Sequence, residues 1–115
     1  MAAPAALLFA IYRGASYSLV FTMTTNGSVS GWTARFSARE RTIAADPLVL
    51  DVAAVIADAG SSSTPGVFTV ALSKAQTLAL KARPYAVSLE RIDSGSEDVL
   101  SIGTMTVKFD VRNAA

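Results

Sequence analysis

The chain has 115 residues, of which 51% are hydrophobic and 17% charged, and its formal net charge is +1. A chain of this length buries roughly two thirds of its extended surface, enough for one core, and its near-neutral charge excludes the strong field that gathers nucleic acid. It contains no cysteine and no histidine, which excludes disulfides, zinc fingers and thiol or imidazole catalysis. The mean hydropathy of +0.41 is high, so we expect part of the apolar surface to contact a partner.

The first apolar segment runs from Met1 to Tyr12 and ends at Arg13-Gly14. It lacks the basic region of a secretory signal and is shorter than the about 20 apolar residues that span a bilayer. We therefore interpret it as mature sequence, with an N-terminal arm over residues 1–11 and a single domain over residues 12–115. Neither signal-directed export nor a membrane-embedded protein is expected.

Two alternating segments follow the arm, separated by the turn signal Asn26-Gly27. Period-two alternation is the pattern of a half-buried strand. The apolar positions of the first segment are Tyr17, Leu19, Phe21 and Met23, and those of the second are Trp32, Ala34, Phe36 and Ala38. We expect two strands here, the second with its arginines turned outward.

Residues 47–59 fit two structures. Alternating apolar positions from Leu48 to Ile56 and the β-branched content favour a strand. Asp46-Pro47 and Gly60 would equally serve as the two ends of a helix. We favour the strand because the neighbouring segments are strands, and residues 60–66 then form a polar loop.

The remaining segments complete an all-β pattern. Residues 67–72 alternate as a strand, and Ser73 with Gln76 matches a capping box that predicts a short helix near residues 74–82. Strands resume at Tyr85 and, after a polar turn over residues 92–98, at Val99. About seven strands and one short helix predict an antiparallel immunoglobulin-like β-sandwich.

No arrangement of polar residues predicts catalysis or a cofactor. Asp46, Asp51 and Asp58 lack the spacing of a calcium loop. The carboxylates around the last turn (Glu90, Asp93, Glu97 and Asp98) would need an apolar pocket to act as a hydrolase pair, and a hairpin tip does not supply one. We expect no enzyme, no metal site, no cofactor and no small-molecule substrate.

Trp32 is the single tryptophan. Its alternation with Phe36 favours a place in the core, packed against other aromatic residues: Tyr17, Phe21, Phe68, Tyr85 or Phe109. The alternative is a contact at an interface or ligand surface, because exposed aromatic rings stack on sugars and bases.

Several short segments share their order and spacing with a known group of proteins. They are Tyr12-Arg-Gly14, Gly31-Trp-Thr-Ala-Arg35, the run from Pro65 to Leu80, Pro84-Tyr85 and the run from Ile102 to Val107. Over about residues 11–112 the chain resembles small virion proteins of tailed bacteriophages. That resemblance implies an immunoglobulin-like module, which in longer relatives anchors baseplate and tail-fibre proteins, and here implies a standalone structural subunit.

The expected function is therefore a non-enzymatic component of a tailed-phage virion, in its baseplate, tail, neck or capsid decoration. Its expected partners are other virion structural proteins, in several copies of a symmetric assembly, without nucleic acid or membrane. It would reside in the virion, and in the host cytoplasm during assembly. The alternative is a carbohydrate-binding or host-adhesion module, which would use an exposed Trp32 or Tyr85.

Two sets of residues are candidates for assembly contacts. The first is apolar and lies in the arm: Leu7, Leu8, Phe9 and Ile11. The second is a basic stripe: Arg35, Arg39 and Arg41. We favour pairing of the stripe with the acidic segment from Asp46 to Asp58 of another copy, because arginines without interleaved aromatic residues are a weak signal for nucleic acid. The alternative is that the stripe is a solvated face.

Overall fold

The computed structural model describes residues 5–40 and 48–109, with side chains for residues 8–23, 27–40 and 48–109. Within these ranges the chain forms eight strands and one helix, in the order β1 (Ala5–Tyr12), β2 (Tyr17–Asn26), β3 (Ala34–Arg39), β4 (Leu50–Ala53), β5 (Val55–Asp58), β6 (Pro65–Leu72), α1 (Lys74–Leu78), β7 (Pro84–Arg91) and β8 (Asp98–Lys108). No helix in these ranges has the length and apolar character needed to cross a membrane.

The strands form two sheets. Their orders are β1-β8-β7-β3-β4 in the five-stranded sheet and β2-β6-β5 in the three-stranded sheet. Neighbouring strands are antiparallel, except that β1 runs parallel to β8. The predicted all-β architecture with one short helix is confirmed, although the described residues contain eight strands rather than about seven.

The core lies between the two sheets and follows from the alternation. Phe36 and Leu89 of the five-stranded sheet and Phe68 of the three-stranded sheet are fully buried. The rings of Phe21 and Phe36, one from each sheet, have centroids 5.7 Å apart. Truncating such a buried phenylalanine to alanine typically costs about 3–5 kcal/mol, so these contacts hold the sheets together.

Residues 5–11, assigned from the sequence to an arm, lie in β1 at the edge of the five-stranded sheet. Their parallel register with β8 runs from Ala5 opposite Ser101 to Tyr12 opposite Lys108. The uniformly apolar composition of this segment concealed its alternation. Because the side chains of Phe9 and Ile11 pack in or against the core, this part of the segment is integrated in the sheet.

Residues 50–53 and 55–58 are strands, as favoured over the helix, but they belong to different sheets. β4 pairs with β3, whereas β5 pairs with β6. The change occurs at Ala54, whose N–H donates to Ala34 O at 2.9 Å. Alternation continues across Ala54, so the sequence pattern alone did not reveal that the chain passes from one sheet to the other.

The helix begins as predicted and ends earlier. Ser73 Oγ accepts the Gln76 N–H at 3.1 Å, and Gln76 Oε1 accepts the Ser73 N–H at 2.8 Å, which confirms the capping box. The helix ends at Leu78 instead of continuing to residue 82. Beyond it, Leu80 turns into the core and the Lys81 N–H donates to the Tyr85 hydroxyl at 2.8 Å, so tertiary contacts replace the last helical turn.

Candidate interaction surface

One half of the outer side of the five-stranded sheet carries no charged side chain. We call it the uncharged face, and its outward residues are Leu8, Ala10 and Tyr12 of β1, Ala86 and Ser88 of β7, and Ile102, Thr104 and Thr106 of β8. Leu8 is 86% exposed and Ile102 is 48% exposed. Charged side chains begin only at its borders, with Glu90 on β7 and Lys108 on β8. Exposed apolar surface of this kind is a candidate for protein contact.

The other half of that outer side, on β3 and β4, is charged and internally paired. Arg35 Nε donates to Asp51 Oδ1 at 2.7 Å, a diagonal contact in the ladder that sets Asp51 opposite Ser37. Strand pairing thus supplies Arg35 with an acidic partner within the chain, and the pairing of the stripe with another copy stays a prediction. Arg39 is half-buried on the same strand. Arg41 and Asp46 lie outside the described residues.

Alternation along β1 places the apolar contact candidates with described side chains on opposite sides of the strand. Leu8 lies on the uncharged face, whereas Phe9 points the other way and packs against the core. Ile11 is 1% exposed, so its side chain is enclosed in the core and is not available to a partner. The side chain of Leu7 lies outside the described ones. Among the four candidates, Leu8 is thus the one with an exposed side chain in the described residues.

β1 lies at an edge of its sheet. One side of its backbone therefore has no partner strand in the described chain. In a parallel ladder, successive residues direct their N–H and C=O alternately towards the neighbouring strand and away from it. The Arg13 N–H donates to Lys108 O at 2.9 Å, towards β8. The preceding N–H, that of Tyr12, donates away from β8 to the Tyr17 hydroxyl at 2.8 Å.

Counting back from Tyr12, the backbones of Leu8 and Ala10 also face away from β8. Neither makes an outward hydrogen bond to another described residue. Proteins usually protect such edges with charges, proline or bulges, and the strand from residue 5 to 12 contains neither charge nor proline. Of the other edge strands, β4 and β5 are only four residues long and carry Asp51 and Asp58, whereas β2 is ten residues long and, like β1, carries neither charge nor proline.

The carboxylates near the last turn occupy different environments. Glu90, Glu97 and Asp98 line an open groove of about 350 Å³ together with Arg91, Ile92 and Val99. Asp93 instead accepts hydrogen bonds from Arg91 and Thr33. Asp58, at the end of β5, accepts the Gly60 N–H through Oδ1 at 2.9 Å. No group of three or more acidic side chains in the described part of the chain is arranged to hold a metal ion.

Asp93 links the residue that precedes β3 to the last residue of β7. Its Oδ2 accepts from Arg91 Nε at 2.7 Å and from the Thr33 N–H at 2.8 Å. The Arg91 hydrogen bond, followed by that of Thr33, lowers the pKa of the Asp93 carboxyl below its usual value. The Arg91 guanidinium also lies 4.1 Å from the ring centroid of Trp32, a cation–π contact that sequence spacing did not indicate.

Neither aromatic residue expected for a sugar-binding module offers an open platform. Trp32 is half-buried against the core and is covered by Arg91, while Tyr85 is buried. Phe109, a further candidate for aromatic packing in the core, is instead exposed. A second depression, of about 450 Å³, is lined by Ser16, Tyr17, Ser18, Leu72, Ser73 and Gln76, but Ser73 and Gln76 already bond each other in the capping box.

No protein-family model matches the chain, and a comparison with curated proteins found no match. The functional interpretation therefore depends on the uncharged face, the open edge of β1 and the resemblance of the short sequence segments.

Proposed function

We propose that the chain is an immunoglobulin-like domain, and the strand orders support this assignment. The order β2-β6-β5 corresponds to strands B, E and D of such a domain. The order β8-β7-β3-β4 corresponds to strands G, F, C and C′ of the variable type. In this assignment β1 is an additional first strand that lies beside the last one.

A buried tyrosine supports the same assignment. Tyr85 lies near the start of β7, the equivalent of strand F, and its hydroxyl accepts the N–H of Lys81 four residues upstream. This is the arrangement of the tyrosine corner found in immunoglobulin domains. Two residues later, where antibody domains place a disulfide cysteine, the chain has the buried Val87. Apolar packing, including that of Phe21 on Phe36, takes the place of the bridge.

We infer that this domain is a non-enzymatic structural component of a tailed-phage virion and acts by assembly with other proteins. The observation that carries the assembly role is the uncharged face, which lies directly beside the unprotected edge of β1. Burying an exposed leucine or isoleucine from water contributes about 1.5–3 kcal/mol. The virion context depends on the resemblance of the segments between Tyr12 and Val107.

The uncharged face and the open edge of β1 favour partners that present a flat apolar surface or an exposed strand edge. Other virion structural proteins in several symmetric copies fit this requirement, because repetition lets weak contacts add up to strong attachment. The baseplate, tail, neck and capsid surface all provide such symmetry. In each of these places the domain would bind its neighbours through a complementary surface that is repeated in several copies.

The first test is the location of the protein in purified phage particles. We expect quantitative mass spectrometry to find it in a fixed number of copies per particle, and electron microscopy of tagged particles to place it at a symmetric position. Particles that lack the protein would overturn the proposed function.

A pair of variants tests the surface itself. Ile102→Glu places a charge on the uncharged face, and Val55→Glu places one at a comparably exposed position on the outer side of the three-stranded sheet. We expect Ile102→Glu to reduce incorporation into particles and Val55→Glu to leave it unchanged. Equal incorporation of the two variants, both folded, would contradict the assignment of the uncharged face.

A further inference from the structure

The open edge of β1 is limited at one end, where the outward N–H of Tyr12 is occupied by the Tyr17 hydroxyl at 2.8 Å. Towards the other end the described strand reaches Ala5. Residues 5–11 therefore form the open segment, with outward backbone groups at every second residue, including Leu8 and Ala10. At about 3.3 Å per residue this segment is about 23 Å long.

We propose that the open segment pairs with the same segment of a second copy, in antiparallel orientation around a two-fold axis. The two five-stranded sheets then become one continuous sheet. This inference rests on the assembly role proposed above and names one of its partners. Such a contact is isologous, because the same residues contribute from both copies.

The position of the axis follows from the backbone directions. When Leu8 lies opposite the second copy's Leu8, residue 5 faces residue 11 and the whole open segment is used. The outward groups on each side then form about six backbone hydrogen bonds. An axis at Phe9 or Ala10 would bring Tyr12 into the pairing, where its N–H already donates to Tyr17. We therefore place the axis at Leu8, where every described residue of the open segment takes part.

The absence of charge in β1 favours a second copy as the occupant. Around a two-fold axis the central residue meets its own equivalent and its neighbours meet other residues of the same segment, so a segment with charges of one sign would repel itself. Residues 5–12 carry no charge. Pairing also places the exposed side chain of Leu8 against its own equivalent on the uncharged face, which removes the most exposed large apolar side chain in the described residues from water.

The size of the contact predicts weak pairing in isolation. A strip about 23 Å long and about 10 Å thick covers of the order of 200 Å² per copy, below the about 800 Å² of a standard stable interface. Dilute protein should therefore be monomeric. When copies are held close together in an assembly, effective concentrations in the millimolar range make such a contact persistent.

Single cysteines test both the pairing and its register, because the chain has no cysteine of its own. Across a hydrogen-bonded pair the Cα atoms lie about 5.5 Å apart, within the range of about 4.4–6.8 Å that a disulfide requires. Leu8→Cys should thus form a covalent dimer under mild oxidation at high protein concentration. Ala10→Cys is the register control, since its two copies would lie about 13 Å apart along the strands. Val20→Cys, exposed on the other sheet, is the control for random collision.

The expected result is a covalent dimer as the main product of Leu8→Cys and mostly monomer for Ala10→Cys and Val20→Cys. Adding Ala10→Pro to Leu8→Cys removes an outward N–H while leaving the bonds to β8 in place, because proline is tolerated on such an edge. This double variant should unfold at the same temperature as Leu8→Cys and lose the dimer. Equal oxidation of the three single variants, or an undiminished dimer in the double variant, would overturn the proposed pairing.

These outcomes are separate from those of the proposed function. Protein that is present in particles but gives no Leu8→Cys dimer, in particles or in concentrated solution, would refute the self-pairing and leave the virion role standing. Protein that dimerises through Leu8→Cys but is absent from particles would refute the virion role and leave the self-pairing standing.

Discussion

Replacing Thr77 with valine should destabilise the domain strongly, although the exchange removes only one hydroxyl group. Thr77 is 1% exposed, and its Oγ1 lies 2.8 Å from Ala15 O and accepts the Gly14 N–H at 3.1 Å. These contacts attach α1 to the turn between β1 and β2. Valine keeps the shape and the β-branched side chain, so the substitution removes the hydrogen bonds with little other change.

The magnitude follows from the groups left without partners. A lost hydrogen bond costs about 0.5–1.5 kcal/mol, and a buried group left unsatisfied costs about 1–3 kcal/mol. Because Gly14 and Ala15 are only half-buried, water compensates part of the loss. We expect the free energy of unfolding to fall by about 2–3 kcal/mol. With an unfolding entropy of about 2.1 cal/mol/K per residue, the Tm should fall by roughly 8–12 °C.

Urea and thermal unfolding, followed by circular dichroism and by the fluorescence of Trp32, measure this change. Thr77→Ser keeps the hydroxyl and should be less destabilised than Thr77→Val. Thr22→Val, at an exposed position of β2, controls for the general effect of the exchange and should change stability by less than about 0.5 kcal/mol. A Thr77→Val protein as stable as Thr22→Val would refute the reasoning.

Three further predictions concern other contacts. Tyr85→Phe removes the hydroxyl of the tyrosine corner and should lower the free energy of unfolding by about 1 kcal/mol in urea titrations; an unchanged midpoint would contradict its structural role. The pKa of Asp93 is lowered in the folded state by its hydrogen bond from Arg91, so its stabilising contribution is present above the ordinary carboxyl pKa, about 3.9, and is lost as the pH falls through the lower folded value. Asp93→Asn should therefore show a shallower loss of stability in acid than the parent, and parallel pH curves would exclude this linkage. Gly60→Ala should destabilise more than Gly95→Ala in thermal melts, because both have positive φ but an added Cβ at Gly60 lies 2.5 Å from a backbone oxygen whereas Gly95 faces open space; equal melting temperatures would contradict this.

The candidate surface was only partly predictable. Of the apolar contact candidates, Leu8 is exposed, whereas Ile11, from the same segment, is in the core. When every residue of a strand is apolar, hydropathy no longer marks which side faces inward. The threonines and small residues of β7 and β8 that complete the uncharged face gave no separate signal, because such residues are common on any solvent-facing strand.

Local order was determined by the sequence itself. Alternation identified the strands and the inward position of Phe36, and the Ser73–Gln76 capping box set the start of the helix, because both depend on residues close together in the chain. Which strands lie side by side was decided by the tertiary structure. The parallel pairing of β1 with β8, the change of sheet at Ala54 and the pairing of Arg35 with Asp51 join segments distant in sequence, and a period-two pattern records which face a side chain occupies but not which strand lies beside it.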